Sequence, residues 1–174
     1  MRRALVFASI LLFTAPSATA AAGWHNFSNR GLGFKFRYPS SWHLTTATTG
    51  NVKQVTAFST DTRYSLTAEL YPVKASSSLS GTLRKYVAYA RSINGPAVTH
   101  YRWVRTTLAR RPAEGTVTYP ATEGGVHLAD GLYVLSAGRR IYSVEIETRG
   151  NKLPKSLAAF PSVYREIFKS WRFL

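Results

Sequence analysis

The sequence predicts an α+β domain, an antiparallel sheet of about six or more strands covered by helices. Three observations carry this. Residues Trp24 to Tyr71 alternate apolar and polar side chains with the period of two that a half-buried strand requires. Two later segments, about Thr82 to Ile93 and Ser156 to Lys169, repeat apolar residues at helical spacing instead. No internal repeat, heptad run or long linker divides the chain.

The elements follow in order. Trp24 to Asn29 and Phe34 to Tyr38 form a first hairpin around the turn signal Asn29-Arg30-Gly31. In Phe34-Lys35-Phe36-Arg37-Tyr38 the aromatics fall on one face and the cations on the other, so one side is buried. Pro39-Ser40-Ser41 ends that strand and Trp42 opens a third. Val52 to Ser59 and Arg63 to Val73 flank an Asp61-Thr62 turn. A Ser-rich connection then leads into the helix over about Thr82 to Ile93, which Asn94-Gly95-Pro96 stops. Strands resume at about Val98 to Thr106, Gly115 to Tyr119, Gly131 to Ser136 and Ile141 to Thr148, the last two joined across Ala137-Gly138-Arg139-Arg140. The segment Ala109 to Asp130 reads either as a loop or as paired strand. The final helix places Phe160, Val163, Tyr164, Ile167, Phe168 and Trp171 on one stripe, and Pro161 fits it only if the regular helix begins close to that residue.

The N-terminus reads as an export signal. Met1, Arg2 and Arg3 are followed by the apolar run Ala4 to Thr14 and by the small residues Ala18-Thr19-Ala20, which suit a cut near Ala20 and Ala21. The run is shorter than the roughly 20 residues that a membrane span needs, so a retained anchor is the lesser alternative. Residues 21 to 174 then form one domain, secreted or extracytoplasmic and expected to be monomeric. With 0 cysteines, the chain has no disulfides, no thiolate metal ligands and no cysteine nucleophile.

The first hairpin with Gly33-Phe34-Lys35-Phe36-Arg37-Tyr38-Pro39 and Trp42 resembles the start of the PsbP-like family, the group of the Mog1/PsbP-like fold. The end of the chain is similar too: Ile141-Tyr142-Ser143-Val144-Glu145-Ile146, an amphipathic helix, then Ser170-Trp171-Arg172-Phe173 as a closing strand. The resemblance covers both ends and matches the middle by element order. It implies an exported, bacterial-type member with a sheet sandwiched by helices on both faces (α/β/α), and a family whose characterised members bind proteins rather than catalyse reactions. It does not imply a photosynthetic partner, because no residue identifies one, and a fold alone does not define a function.

Catalytic signatures are absent: no nucleophile elbow, phosphate loop, dinucleotide fingerprint or zinc-helix motif occurs. Thr82 and Lys85 have the offset of a nucleophile pair but open an amphipathic helix, where both are ordinary. His25, His43, His100 and His127 fall on separate elements without ligand spacing. Glu145 and Glu147 share a strand face, and the plain account is a solvated face beside Arg139, Arg140 and Arg149. Asn26-Phe27-Ser28 fits the glycosylation pattern but sits within a strand. No catalytic residue, metal site or cofactor is therefore expected; an enzyme with no local signature is the remote alternative.

Charge carries the remaining signal. The formal net charge is +15, from 23 Lys and Arg against 8 Asp and Glu. Such a field draws anionic partners: an acidic protein, or an anionic lipid or cell-wall polymer touched peripherally. Nucleic acid is excluded by export and by the lack of a reader motif. The leading expectation is a non-catalytic binding domain for an acidic protein surface or anionic envelope component, contacted by Arg110, Arg111, Arg139 and Arg140, since cations on loops and hairpin ends of a rigid sheet are where binding concentrates. The alternative is a charge-driven binder of lipid or wall polymer with no dedicated partner.

Overall fold

Period-two alternation builds ten strands among the described residues. The computed structural model describes residues 23–71, 78, 81, 84–85, 103–119, 127–138 and 140–174. The strands are β1 (Trp24–Asn29), β2 (Phe34–Pro39), β3 (Trp42–Thr49), β4 (Val52–Ser59), β5 (Tyr64–Tyr71), β6 (Val104–Leu108), β7 (Arg111–Thr118), β8 (Leu128–Ala137), β9 (Arg140–Arg149) and β10 (Arg172–Phe173). The α-helix α1 (Ser162–Ser170) precedes the last of them, after a 3-10 turn at Leu157–Ala159. Two sheets result: a 3-stranded one in the order β1-β2-β10, and a 7-stranded one in the order β3-β4-β5-β9-β8-β7-β6. Every pairing in both sheets is antiparallel.

The small sheet lies on the large one because its inner aromatics need cover. Phe34 and Phe36, on the inner face of β2, meet the indole of Trp171 at ring centroid distances of 4.6 and 4.8 Å. All three are fully buried or nearly so. Aromatic contacts of this kind add about 0.5 to 1.5 kcal/mol each beyond the area they bury. Polar ties fix the layers: the Tyr142 hydroxyl donates to the Leu32 carbonyl at 3.1 Å. The Tyr164 hydroxyl of α1 reaches the carbonyls of Ser65 and Glu147 on neighbouring strands. At Gly131 a Cβ would lie 2.9 Å from Ile146 Cγ1 and 3.1 Å from Phe160, so a bare backbone there lets the segment before α1 seat on the sheet.

The expected sandwich with helices on both faces is corrected. Among the described residues the architecture is mostly β, sheet on sheet with one α-helix: the small sheet and α1 lie together on one face of the large sheet, Phe34 against Tyr142 and Phe168 against Tyr133. The helix expected over Thr82 to Ile93 lies outside the described residues, apart from the helical residues Gly81, Arg84 and Lys85. The final helix is shorter than its stripe suggested: Pro161 stands immediately before Ser162, where its fixed φ and missing N–H do no harm. The strand expected from Val98 is described from Val104, and residues 98–102 lie outside the described ones. β7 starts at Arg111, four positions earlier than expected, so Ala109 and Arg110 close a hairpin.

Candidate binding surface at the hairpin end

Antiparallel register sends four turns to one end of the molecule. The pair Leu108–Arg111 closes β6 and β7 around Ala109 and Arg110, whose φ angles of 50 and 64° are those of a two-residue hairpin turn. The pair Ala137–Arg140 closes β8 and β9 around Gly138, with φ 61°. Because β7 pairs with β8 through Ala113–Leu135, both tips point the same way. The β3-β4 turn at Gly50 and the β1-β2 turn at Arg30 to Gly33 lie there too, since Lys53 of β4 pairs with Leu70 and Tyr71 of β5 pairs with Ile141.

The cations at this end come from different parts of the chain. Arg30, Lys53, Arg110, Arg111 and Arg140 are all exposed. Arg140 lies flat against the β1-β2 turn: a Cβ on Gly33 would stand 1.9 Å from its Nη1, and Gly33 adopts φ +79°. Lys53 reaches the same turn, with Nζ 3.7 Å from where a Gly31 Cβ would be. Beside it runs a groove of about 320 Å³ lined by Asn29, Gly31, Thr46, Thr48, Lys53 and Gln54. None of these five cations forms an ion pair among the described residues. The structure thus brings Arg110, Arg111 and Arg140 together, adds Arg30 and Lys53, which the sequence reading missed, and leaves Arg139 outside the described residues.

Most of the described acids lie on another face. Register puts Glu69, Glu114, Asp130, Glu145 and Glu147 on one face of the large sheet, which is five of the 8 acids in the chain. Asp130 stands opposite Glu147, its Oδ1 buried without a hydrogen bond. Burial first, then the charges of Glu145 and Glu147, push its carboxyl up to about 8. Burial likewise pushes Glu145 up to about 7, with Glu69 and Glu147 adding to it. Glu147 pairs with Arg149 at 2.7 Å, and Asp61 with Arg63 at 2.9 Å, both at the end opposite the hairpin tips. The expectation of a solvated face for Glu145 and Glu147 is therefore corrected: Arg149 is beside Glu147, but Arg140 is at the other end, and Glu145 is half-buried.

The remaining candidates are dispersed. His25 stacks beside Tyr38 at 5.7 Å and His43 beside Phe58 at 5.5 Å, on different sheets, while His127 precedes β8. Among the described residues no group of three His, Cys, Asp or Glu side chains is placed to hold a metal ion. His100 and Thr82 lie outside the described residues. Among those residues, too, no helix is long and apolar enough to cross a membrane.

A hairpin-capped seven-stranded antiparallel sheet, overlaid by a small aromatic sheet and closed by a helix and a short strand, is the PsbP-like fold. The chain matches the solution structure of cyanobacterial PsbP (CyanoP) from Synechocystis with a TM-score of 0.63, over 93% of this chain and 99% of that one, at 10% identity. It matches a crystal structure from Bacteroides thetaiotaomicron with a TM-score of 0.57 at 12% identity, over 86% of this chain and 48% of that one. At these identities the likeness is one of fold. No family model and no curated protein matches the sequence.

Proposed function

We propose that the chain is an exported, non-catalytic PsbP-like domain that binds or assists an acidic protein surface in the envelope or extracellular space. The observation that supports this reading is the separation of charge among the described residues: exposed Arg30, Lys53, Arg110, Arg111 and Arg140 at the hairpin end, without ion pairs there, and most carboxylates on a half-buried sheet face or paired with a neighbouring cation. Guanidinium groups suit carboxylates geometrically because their N–H groups match both oxygens. Turns anchored on a rigid sheet present them without a large ordering cost. The signal-like N-terminus supports export.

The test is capture of envelope proteins by the purified chain at low and high salt, with every retained species identified, beside a variant carrying Arg110→Ala, Arg111→Ala and Arg140→Ala. The reading predicts a discrete acidic protein retained by the native chain and lost by the variant. Retention of the same protein by both would remove the hairpin end from consideration.

A further inference from the structure

We propose that the outer face of the small sheet is a second binding surface, for a linear polymer that carries repeated phosphate groups. The proposal stands apart from the hairpin end and rests on a different observation. Lys35 of β2 lies directly opposite Arg172 of β10, a like-charge pair across a strand ladder. Such pairs destabilise a sheet, because their Cβ atoms sit only about 5 Å apart. Arg37, two residues along β2, adds a third cation to the same face roughly 7 Å from Lys35. No carboxylate side chain occurs in β1, β2 or β10. The acid beside this face, Glu166 of α1, is engaged by Lys169 at 2.7 Å.

The rest of the face supplies donors and little else. Ser28 and Asn26 of β1 lie opposite Lys35 and Arg37, and both are exposed. Arg172 is held in place by donating from Nη1 to the carbonyl of Lys169 at 2.8 Å and that of Trp171 at 2.6 Å, across the C-terminus of α1. Its other guanidinium donors make no protein hydrogen bond among the described residues. Three cations at close spacing on β2 and β10, flanked by the Asn26 and Ser28 donors of β1, match an anion whose charges repeat along a chain. A bound polyanion cancels the repulsion that the free sheet carries.

Two other anionic partners fit less well. Membrane docking inserts apolar anchors beside the charge, and the exposed large apolar side chains among the described residues are Val104, on the large sheet, and Leu174, a single side chain just past the end of β10. Single-stranded nucleic acid stacks its bases on exposed aromatic platforms, whereas Phe34 and Phe36 point inward and Trp24 is covered by the guanidinium of Arg37, 5.8 Å from its ring centroid. What remains is recognition of repeated phosphate by charge and hydrogen bonding.

The experiment uses the full chain with long-chain inorganic polyphosphate as the probe. It follows affinity against salt concentration and melting temperature without ligand, for the native chain, Lys35→Glu, Lys35→Thr and Arg37→Thr. The native chain binds polyphosphate with a steep salt dependence. Each threonine variant lowers the slope of log affinity against log salt by roughly 0.7 to 0.9, the share of one phosphate contact. Lys35→Glu loses binding at least tenfold and melts at a higher temperature than the native chain, because it turns a like-charge pair into an opposite one. The variant carrying Arg110→Ala, Arg111→Ala and Arg140→Ala keeps its polyphosphate affinity within threefold, which separates this surface from the hairpin end. Unchanged binding in Lys35→Glu and both threonine variants would overturn the assignment. So would anionic phosphatidylglycerol vesicles or poly-glutamate binding as tightly as polyphosphate, or a lower melting temperature in both Lys35 variants.

Discussion

Asp130 and Glu147 face each other directly across the β8-β9 ladder, two acids side by side in a chain where cations outnumber acids by 23 to 8. With Glu145 two residues away, they form a half-buried acidic strip in which burial pushes the carboxyls of Asp130 and Glu145 up, to about 8 and about 7. The strip removes negative charge from the surface, and that removal leaves the hairpin end strongly positive.

This strip makes stability depend on pH in a stated direction. Asp130 and Glu145 have folded pKa values of about 8 and about 7, above those of an unfolded chain near 4. The folded state therefore binds more protons than the unfolded state between these values, so stability falls as pH rises from about 4 through about 8. Asp130→Asn removes part of that slope and raises the melting temperature at pH 8 by more than at pH 5. Thermal melts across this range check it; a wild-type melting temperature that climbs from pH 5 to 8 would contradict it.

The β6-β7 turn couples strain to charge. Ala109 and Arg110 both hold positive φ without being glycine, which costs each about 1 kcal/mol. Arg110→Gly is expected to stabilise the domain by about that amount in a denaturant titration while weakening capture of the acidic partner. Ala109→Gly is expected to stabilise to a similar degree and leave capture intact.

Gly33 supports the site from beneath. Its φ of +79° disfavours any side chain, and a Cβ would meet the Arg140 guanidinium and lie 3.0 Å from the Tyr142 hydroxyl. Gly33→Ala should cost about 1 to 2 kcal/mol and displace Arg140 as well. Partner affinity, measured on the folded fraction, should fall with it.

Trp171 anchors the small sheet to the large one. It is 0% exposed and touches the rings of both Phe34 and Phe36. Trp171→Ala should cost about 3 to 5 kcal/mol, as truncation of a large buried aromatic does. Its Nε1 is buried without a partner, so Trp171→Phe gives up no hydrogen bond and should cost less than half as much.

Much of this fold is readable in the sequence because burial imposes a period. Phe34, Phe36 and the stripe from Phe160 to Trp171 are core residues in the structure as their spacing requires. The spacing of Phe34, Phe36 and Trp171 marks them as core but does not tell that they build a separate small sheet and its anchor on the large one. The β6-β7 hairpin was missed for a local reason: Ala109-Arg110 lacks the Asn-Gly or Gly signature of a positive-φ turn. The candidate site was half legible. Arg140 lies beside a turn that the sequence suggests and Arg110 and Arg111 stand out as adjacent cations, whereas Arg30 and Lys53 join them only through strand register, which one sequence does not reveal. The acidic strip was hidden in the same way, since Asp130 and Glu147 are 17 positions apart and meet only across the ladder.

The central claim is that an acidic partner docks on the hairpin end, and amide chemical-shift mapping of the folded chain titrated with the captured protein tests it most directly. The account predicts shifts concentrated at Arg30 to Gly33, Lys53, Ala109 to Arg111 and Gly138 to Arg140, fading at high salt. Shifts confined to the opposite end, around Asp61 to Arg63 and Arg149, with the hairpin tips unmoved, would contradict it.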